Sequence, residues 1–373
     1  MRKPSNPFIV TGYISPSYFC DREEELEWLN DQFINERNTV LYSLRRMGKT
    51  ALIRHFFYHL KKELKIEGVH VDLLGTTNLT EANTRIASAI IQQSGDFPKN
   101  IGSSLMKLLS TIGATIGVDP LSGTPQITFG LVKGQSIPKS LEAIGSYLQE
   151  SDKPVVICID EFQQVVNYSE KDAEATFRTW TQNFPMIRFI FCGSHRRMMT
   201  SMFSEKSRPF YRSAQMRELL PLPRKAYATY INSHFRKAGK SIDSEHIESI
   251  FQWTRMQTYY VQLICNKLYG KTDHVDEETM KDVFSEIIQQ EVPVFSSYQR
   301  LLTSTQWKLL VALAREEETE NPYAHGFLLQ HELAAASSVN AAMQTLIKKE
   351  FVIYHNNRYV LHDTLLMRWL QQL

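Results

Sequence analysis

Few cysteines occur in the sequence, and their spacing excludes two classes of protein. The 373 residues include four cysteines, far apart at Cys20, Cys158, Cys192 and Cys265. Two of them lie inside apolar runs typical of strands, so we predict buried free thiols. Neither a disulfide framework nor a cysteine-ligated metal site is expected.

Long apolar runs and a charge imbalance are also absent. No run approaches the roughly 18 apolar residues of a membrane-spanning helix, and no apolar signal region follows the first six residues. We therefore expect a cytoplasmic protein with no membrane partner. Lysine and arginine number 42 against 40 aspartates and glutamates, a net charge of +2. This balance does not suggest nucleic-acid binding over the whole surface, although it leaves a local basic patch open.

What the chain does have is the composition of an ordered globular protein. Hydrophobic residues make up 43% and charged residues 22% of the sequence, so disorder is not indicated. A chain of 373 residues exceeds what one hydrophobic core usually serves, so we expect two or three structural units.

The most informative stretch is residues 39–50, where a short apolar run is followed by a loop ending in Gly-Lys-Thr. In a phosphate-binding loop, backbone N–H groups and a helix N-terminus surround the β-phosphate. The lysine reaches the β- and γ-phosphates, and the threonine hydroxyl joins the Mg²⁺ shell. The residues predicted to bind nucleotide here, called the phosphate loop below, are Ser43, Arg45, Arg46, Met47, Gly48, Lys49, Thr50 and Ala51.

Two features of this loop bear on whether it binds phosphate. The standard pattern would have glycine at Ser43; serine is small enough for the turn but does not favour positive φ as glycine does. Lys49 has the alternative interpretation of a solvated lysine at a helix start. Residues 51–64 carry apolar side chains at helical spacing, so the loop lies between a strand and a helix, as the phosphate-binding interpretation requires.

A second element supplies carboxylates. Residues 154–159 form a continuous apolar run that ends in Asp160 and Glu161, which is typical of a buried parallel strand whose end faces a ligand. Asp160 is predicted to hold Mg²⁺ through water, and Glu161 to polarise an attacking water. The alternative for Glu161 is that it caps the next helix.

A third strand candidate, residues 188–192, runs into Gly-Ser-His, and its end is expected beside the other two. Ser194 or His195 can sense the γ-phosphate or orient water there, while a hydrogen-bonded turn is the alternative for His195. With the candidates at 39–43 and 68–73, these strands alternate with helical stretches and predict an α/β fold with a parallel sheet flanked by helices. Residues 99–135, rich in Gly, Ser, Thr and Pro, are predicted to form a β-hairpin or mobile insertion.

The C-terminal part has a different pattern. Residues 224–293 are helical in pattern, and residues 304–361 suggest three helices and a hairpin, which is a winged-helix arrangement. The third helix can enter a DNA major groove. Its cations, however, lie only at its end, at Lys348 and Lys349. We therefore favour a protein-interaction or autoinhibitory role over sequence-specific DNA binding.

These stretches carry a family resemblance. The chain resembles the archaeal-type ATPase family of the P-loop superfamily, which is related to AAA+ and STAND NTPases. The matching stretches are residues 19–26, 43–52, 71–75, 159–162, 192–194, 209–212 and 304–307. The sequence departs from the family pattern at Ser43, at Asp21, where glycine is expected, and in residues 254–260, which lack the expected Gly and Pro.

The resemblance implies a P-loop NTPase core with an N-terminal segment over residues 1–220, a helical lid over 221–300 and a winged-helix domain over 301–373. It implies ATP or ADP with Mg²⁺ as cofactors. Arg212 is a candidate for contacting phosphate or coupling core to lid, and Arg255 is a weaker one. An adenine pocket walled by the N-terminal segment is also implied, with plain packing against the first helix as the alternative. Its candidate residues are Pro7, Phe8, Ile9, Val10 and Tyr18.

Three functions are compatible with these observations. In the first, Lys49 and Glu161 catalyse ATP hydrolysis that drives a conformational change. In the second, the protein is a nucleotide-held switch or scaffold that hydrolyses very slowly. Ser43 favours the second and the Asp160–Glu161 pair favours the first. An ATP-dependent DNA-binding regulator is the third and weaker alternative.

Overall fold

The structure is a computed structural model, and it describes residues 4–93, 114–118, 125–129, 137–150 and 154–373. The chain divides into two compact units. One unit is Thr11–Leu220, and the other combines Met1–Val10 with Pro221–Leu373. Of the described residues, 4–10 therefore belong with the C-terminal unit, whereas the predicted core included them.

The unit Thr11–Leu220 contains the parallel sheet. Its helices are α1 (Glu23–Ile34), α2 (Lys49–His59), α3 (Leu79–Gln93), α4 (Ile137–Gln149), α5 (Ala173–Asn183) and α6 (Arg196–Ser204). Its strands are β1 (Thr39–Tyr42), β2 (Gly68–Asp72), β3 (Ala114–Val118), β4 (Pro125–Phe129), β5 (Val155–Asp160), β6 (Ile187–Gly193) and β7 (Gln215–Glu218). Five strands form one parallel sheet in the order β2-β5-β6-β1-β7. This confirms the predicted α/β class.

Two parts of this unit differ from the sequence expectation or extend it. Strand β7 was not predicted, because it is a short edge strand of mostly polar residues and lacks the apolar run of a central strand. Strands β3 and β4 pair antiparallel as a separate ribbon, which is the predicted hairpin. The rest of the predicted insertion at 99–135 lies outside the described residues.

The sheet is buried on both faces, because alternate residues of each central strand enter different apolar clusters. Ile157 and Ile159 of β5 lie in the cluster that includes α3 and α5. Val156 and Cys158 lie in the cluster that includes α1 and α2. Such two-sided burial explains the continuous apolar runs of the sequence. All four cysteines are free and buried, as predicted.

The second unit is helical and ends in a small sheet. Its helices are α7 (Arg224–Lys237), α8 (Ser244–Thr254), α9 (Thr258–Lys271), α10 (Glu277–Leu301), α11 (Ser304–Glu316), α12 (His325–Gln330), α13 (Ala336–Lys348) and α14 (Thr364–Leu370). Its strands are β8 (Glu318–Thr319), β9 (Val352–His355) and β10 (Arg358–Leu361), paired in the order β8-β10-β9. The predicted winged helix is present, with the two-residue strand β8 as an addition. Helix α10 continues through Pro293 to Leu301, beyond the predicted helical stretch.

The N-terminal residues pack within this unit. Phe8 is 1% exposed, and its ring lies 5.5 Å from that of Phe235 and 5.8 Å from that of Tyr269. Asn266 Nδ2 donates to the Phe8 carbonyl at 2.7 Å. For Phe8 the structure therefore supports packing rather than a free pocket wall, although the partners are α7 and α9 and not the first helix.

The helical lid and the winged helix are joined by polar contacts inside the same unit. Tyr260 Oη donates to Asp363 Oδ1 at 2.9 Å. Arg368 Nε donates to the carbonyl of Trp253 at 3.0 Å, and Arg255 forms an ion pair with Glu318.

Within the described ranges, no helix is long and apolar enough to span a membrane.

Candidate functional site

The loop between β1 and α2 has the backbone of a phosphate-binding turn without glycine at its first position. Gly48, the N-cap of α2, has a φ of 91°, and Arg46 has a φ of 68°. Ser43 does not have a positive φ. Its N–H donates to the Gly193 carbonyl at 3.3 Å, and its hydroxyl donates to the Leu44 carbonyl at 2.7 Å. The loop therefore accommodates Ser43 without the conformational freedom of glycine.

Lys49 supplies a buried cation that forms no ion pair with any described residue. The residue is 7% exposed, and its Nζ lies 3.3 Å from the Ser43 hydroxyl. Within the part of the chain that the structure describes, no carboxylate lies within ion-pair distance of Lys49. Burying an ammonium group with one neutral partner is unfavourable unless an anion completes the site. The position therefore fits a phosphate group.

The two elements predicted to hold Mg²⁺ meet directly. Thr50 Oγ1, at the start of α2, donates to Asp160 Oδ2, at the end of β5, at 2.9 Å. His70 Nε2, on β2, lies 3.3 Å from the same oxygen. A hydroxyl beside a carboxylate supplies the oxygen ligands that Mg²⁺ prefers, so these residues fit the metal.

The electrostatic surroundings keep Asp160 ionised. Burial by itself raises the pKa of Asp160, but the hydrogen bond with His70 and the charge of Lys49 outweigh this effect and hold the pKa below its ordinary value. His70 was not among the sequence candidates. Its position on β2 could have indicated it, because β2 lies next to β5 and His70 pairs there with Cys158, two residues before Asp160.

Glu161 is held by two side-chain donors. Its backbone is left-handed, with a φ of 54°. Ser194 Oγ donates to Glu161 Oε2 at 2.8 Å, and Gln163 Nε2 donates to the same oxygen. Glu161 is the N-cap residue of the short helix Phe162–Asn167, but its side chain makes no capping hydrogen bond. The capping alternative for Glu161 is therefore wrong in this structure.

The residues after β6 divide between two roles. Ser194 contacts Glu161, which agrees with the predicted position of this strand end beside that of β5. His195 instead caps α6, where its Nδ1 accepts from the Met198 N–H at 3.2 Å. The structure therefore supports the turn alternative for His195.

The remaining loop residues are placed around Lys49. Arg45 and Arg46 are exposed at the turn, and Ala51 lies in the first turn of α2. The side chain of Met47 is 4% exposed and belongs to the apolar core. Met47 can therefore offer only its backbone to a ligand. Its carbonyl accepts a hydrogen bond from Arg22 Nη2 at 3.4 Å, and Arg22 was not among the predicted site residues.

Arg212 is not brought to the phosphate loop. It precedes β7, whose first residue Gln215 pairs with Thr39, the first residue of the parallel strand β1. The phosphate loop follows the other end of β1, so Arg212 lies towards the opposite edge of the sheet. Its guanidinium lies 5.3 Å from the centre of the Tyr211 ring. Arg255, the weaker candidate, forms its ion pair with Glu318 of the winged helix.

Comparisons with known proteins show the family to which the chain belongs. A family model described as an ATPase domain predominantly from Archaea matches residues 19–264, and one described as a probable winged helix domain matches residues 293–372. No curated protein sequence matches the chain.

Solved structures share the fold at low sequence identity. The Walker-type ATPase of Pyrococcus abyssi has a TM-score of 0.68 and 16% identity, over 98% of this chain and 99% of that chain. The ORC2 protein of Aeropyrum pernix, in complexes with ADPNP and ADP, has a TM-score of 0.64 and 14% identity, over 98% and 95% of the two chains. The ORC1 protein of Aeropyrum pernix, in complex with DNA, has a TM-score of 0.54 and 13% identity, over 99% and 96%.

The archaeal ATPase model covers more than half of the chain, and its match includes the phosphate loop, Asp160, Glu161 and Ser194. The chain therefore belongs to this family of nucleotide-binding, ATP-hydrolysing domains and carries a winged helix at its C-terminal end.

Proposed function

We propose that the protein binds ATP with Mg²⁺ at the phosphate loop, hydrolyses it with Glu161 as general base, and uses the reaction to drive a conformational change of AAA+/STAND type. The observation that carries this proposal is the hydrogen bond between Thr50 and Asp160, which are 110 positions apart in the chain. It joins the loop to the strand-end carboxylates at one edge of the sheet.

Each residue has a distinct role in this proposal. Lys49 stabilises negative charge on the β- and γ-phosphates, and the N–H groups of the phosphate loop surround the β-phosphate. Thr50 and Asp160 hold Mg²⁺, which neutralises charge on the phosphate oxygens when it is bound. Ser194 holds Glu161 and senses the γ-phosphate.

The chemical step is phosphoryl transfer to water. A water oxygen forms a bond to the γ-phosphorus, the bond from that phosphorus to the bridging oxygen breaks, and ADP leaves with the bond's electron pair. Glu161 accepts a proton from the attacking water. The products are ADP and inorganic phosphate.

Turnover is favoured over the slow nucleotide-held switch. The reason for expecting a slow enzyme was serine at position 43, where glycine would supply positive φ. Ser43 does not have a positive φ, and its hydroxyl and N–H are both hydrogen-bonded. The substitution therefore gives no physical reason for a defective loop.

For the winged helix we propose a restraining or protein-binding role rather than sequence-specific DNA binding. Arg358 Nη1 and Nη2 lie 3.1 and 3.3 Å from carboxylate oxygens of Glu318 and Glu320. Arg368 forms an ion pair with Glu317. Residues 301–373 contain six Lys/Arg against seven Asp/Glu. Few cations therefore remain for phosphate contacts, which dominate DNA affinity.

The experiment that tests the enzymatic proposal compares phosphate release by the wild type, Glu161→Gln and the control Glu205→Gln, whose side chain is exposed. Glu161→Gln keeps the side-chain size but removes the carboxylate, so release should fall about 10²-fold or more while ATP binding is retained. Glu205→Gln should match the wild type. Unchanged release in Glu161→Gln, against an active wild type, would remove Glu161 from the mechanism. Adding DNA to the wild-type assay separates the DNA-regulator alternative, which predicts stimulation.

A further inference from the structure

We infer that Gln163 is a positioning residue for ATP hydrolysis, because its side-chain amide orients the carboxylate of Glu161. The inference rests on the proposed role of Glu161 as general base. Gln163 does not need to touch the nucleotide for this role, since it acts through Glu161.

The hydrogen bonds around Glu161 are unequally divided between its two oxygens. Gln163 Nε2 and Ser194 Oγ both donate to Oε2. Among the described residues, none donates to Oε1. A carboxylate oxygen without a donor has its lone pairs available to a water molecule. The two donors therefore fix one oxygen and leave the other to accept the proton.

The orientation of the Gln163 amide follows from the same contact. An ionised carboxylate only accepts hydrogen bonds, so the amide nitrogen and not the amide oxygen must face Glu161. Gln163 is 5% exposed, and its own Oε1 is buried and has no hydrogen-bond partner among the residues that the structure describes. Leaving a buried acceptor unpaired is unfavourable, and an apolar side chain of similar size would avoid this cost. Packing alone therefore does not explain glutamine at this position, whereas the bond to Glu161 does.

Strand β6 provides the space for this arrangement. A Cβ atom added to Gly193 would lie 2.5 Å from Gln163 Oε1 and 2.5 Å from the Cγ and Sδ atoms of Met199. Such contacts are too short to be tolerated without displacement, so the amide lies directly against the Gly193 backbone. The end of β6 thus contributes twice, because Gly193 admits the Gln163 amide and Ser194 supplies the second donor to Glu161.

The first test is Gln163→Met, which keeps the length of the side chain and removes the donor. Losing a hydrogen bond to a charged group should lower kcat about 10- to 100-fold. The KM for ATP should change by less than about threefold, because binding and catalysis separate when only the reacting group is displaced. The matched control is Gln164→Met, since Gln164 is the next residue and its side chain makes no hydrogen bond to Glu161. It should retain wild-type kcat.

The second test is a double-mutant cycle with Glu161→Gln. If Gln163 acts through Glu161, adding Gln163→Met to Glu161→Gln should cause no further loss of kcat. Thermal melts with and without Mg²⁺-ATP establish that each variant folds and binds. Should Gln163→Met fail to fold, Gly193→Ala is the second variant, because its added Cβ atom would press on the Gln163 amide as well as on Met199. It should lower kcat in the same direction, and unchanged kcat would then count against the inference.

The outcomes separate the inference from the proposed function. Unchanged or increased kcat in Gln163→Met, with a large loss in Glu161→Gln, overturns the inference and leaves the role of Glu161 intact. The inference is also overturned if the loss of kcat in the double variant equals the product of the losses in the two single variants, because Gln163 would then act independently of Glu161. Unchanged kcat in Glu161→Gln overturns the general-base proposal, and the positioning role with it.

Discussion

The cations of the phosphate loop and of the winged helix differ in whether a carboxylate pairs with them. Lys49 is buried beside a hydroxyl, with no carboxylate in ion-pair distance among the described residues. In the winged helix, Arg358 and Arg368 are paired with carboxylates of the same unit. A binding site for an anion must leave its cation available, whereas a cation used for internal cohesion is neutralised in place. This difference supports the proposed nucleotide binding at the phosphate loop and indicates internal cohesion for these arginines of the winged helix.

The largest effect on this difference between the two regions is expected from replacing Lys49. ATP with Mg²⁺ at about 100 times its dissociation constant should stabilise the wild type by about 2.7 kcal/mol. Lys49→Ala should lose most of this stabilisation, because the phosphates lose their buried cation. Thermal melts with and without Mg²⁺-ATP measure it. Lys206→Ala, an exposed lysine of the same unit, should keep the full shift. Equal shifts in both variants would contradict the assignment of the phosphate loop.

The next effect is expected at Arg368, which holds the winged helix to the helical lid. Its guanidinium donates to the carbonyls of Gln252 and Trp253, both at 3.0 Å. Arg368→Met should leave these carbonyls without their donor and lower the free energy of unfolding of the second unit by about 1.5–3 kcal/mol. Denaturant unfolding measures this change, with the exposed Lys308→Met as control. A loss no larger than that of the control would show that Arg368 does not stabilise this contact.

A smaller effect is expected on the reaction itself. If the winged helix restrains the rest of the protein, removing residues 304–373 should raise basal phosphate release or nucleotide exchange several-fold. This corresponds to a shift of about 1 kcal/mol in the equilibrium between the restrained and the active state. Tyr260→Phe, which removes the hydroxyl that donates to Asp363, should produce a weaker increase in the same direction. Unchanged nucleotide handling in both proteins would argue against the restraining role.

The smallest effect is expected at Arg358, on the exposed surface of the winged helix. Arg358→Ala should leave the free energy of unfolding close to that of the wild type, because exposed ion pairs contribute little. DNA binding by the intact protein should be weak and non-specific, with a salt slope of about 0.9 per phosphate contact on a log–log plot. Fluorescence anisotropy across a salt series measures it. Tight, sequence-selective binding that Arg358→Ala weakens would reverse the comparison between the two regions.

The central elements of the site were predictable from the sequence. Lys49, Asp160 and Ser194 each follow an apolar run, and parallel strands bring their carboxyl ends to one edge of the sheet. The structure places Thr50 against Asp160 and Ser194 against Glu161. Strand β7 escaped prediction because an edge strand need not be apolar on both faces.

The sequence by itself determined the class of fold, the order of its elements and the residue types at the strand ends, because apolar periodicity and short motifs are local properties of the chain. Only the tertiary structure decided that His70 lies beside Asp160, that Gln163 donates to Glu161, that Arg212 lies towards the opposite edge of the sheet and that Arg255 pairs with Glu318. These pairings depend on strand order, register and side-chain direction. Residues distant in sequence fix those quantities together, so no local pattern records them.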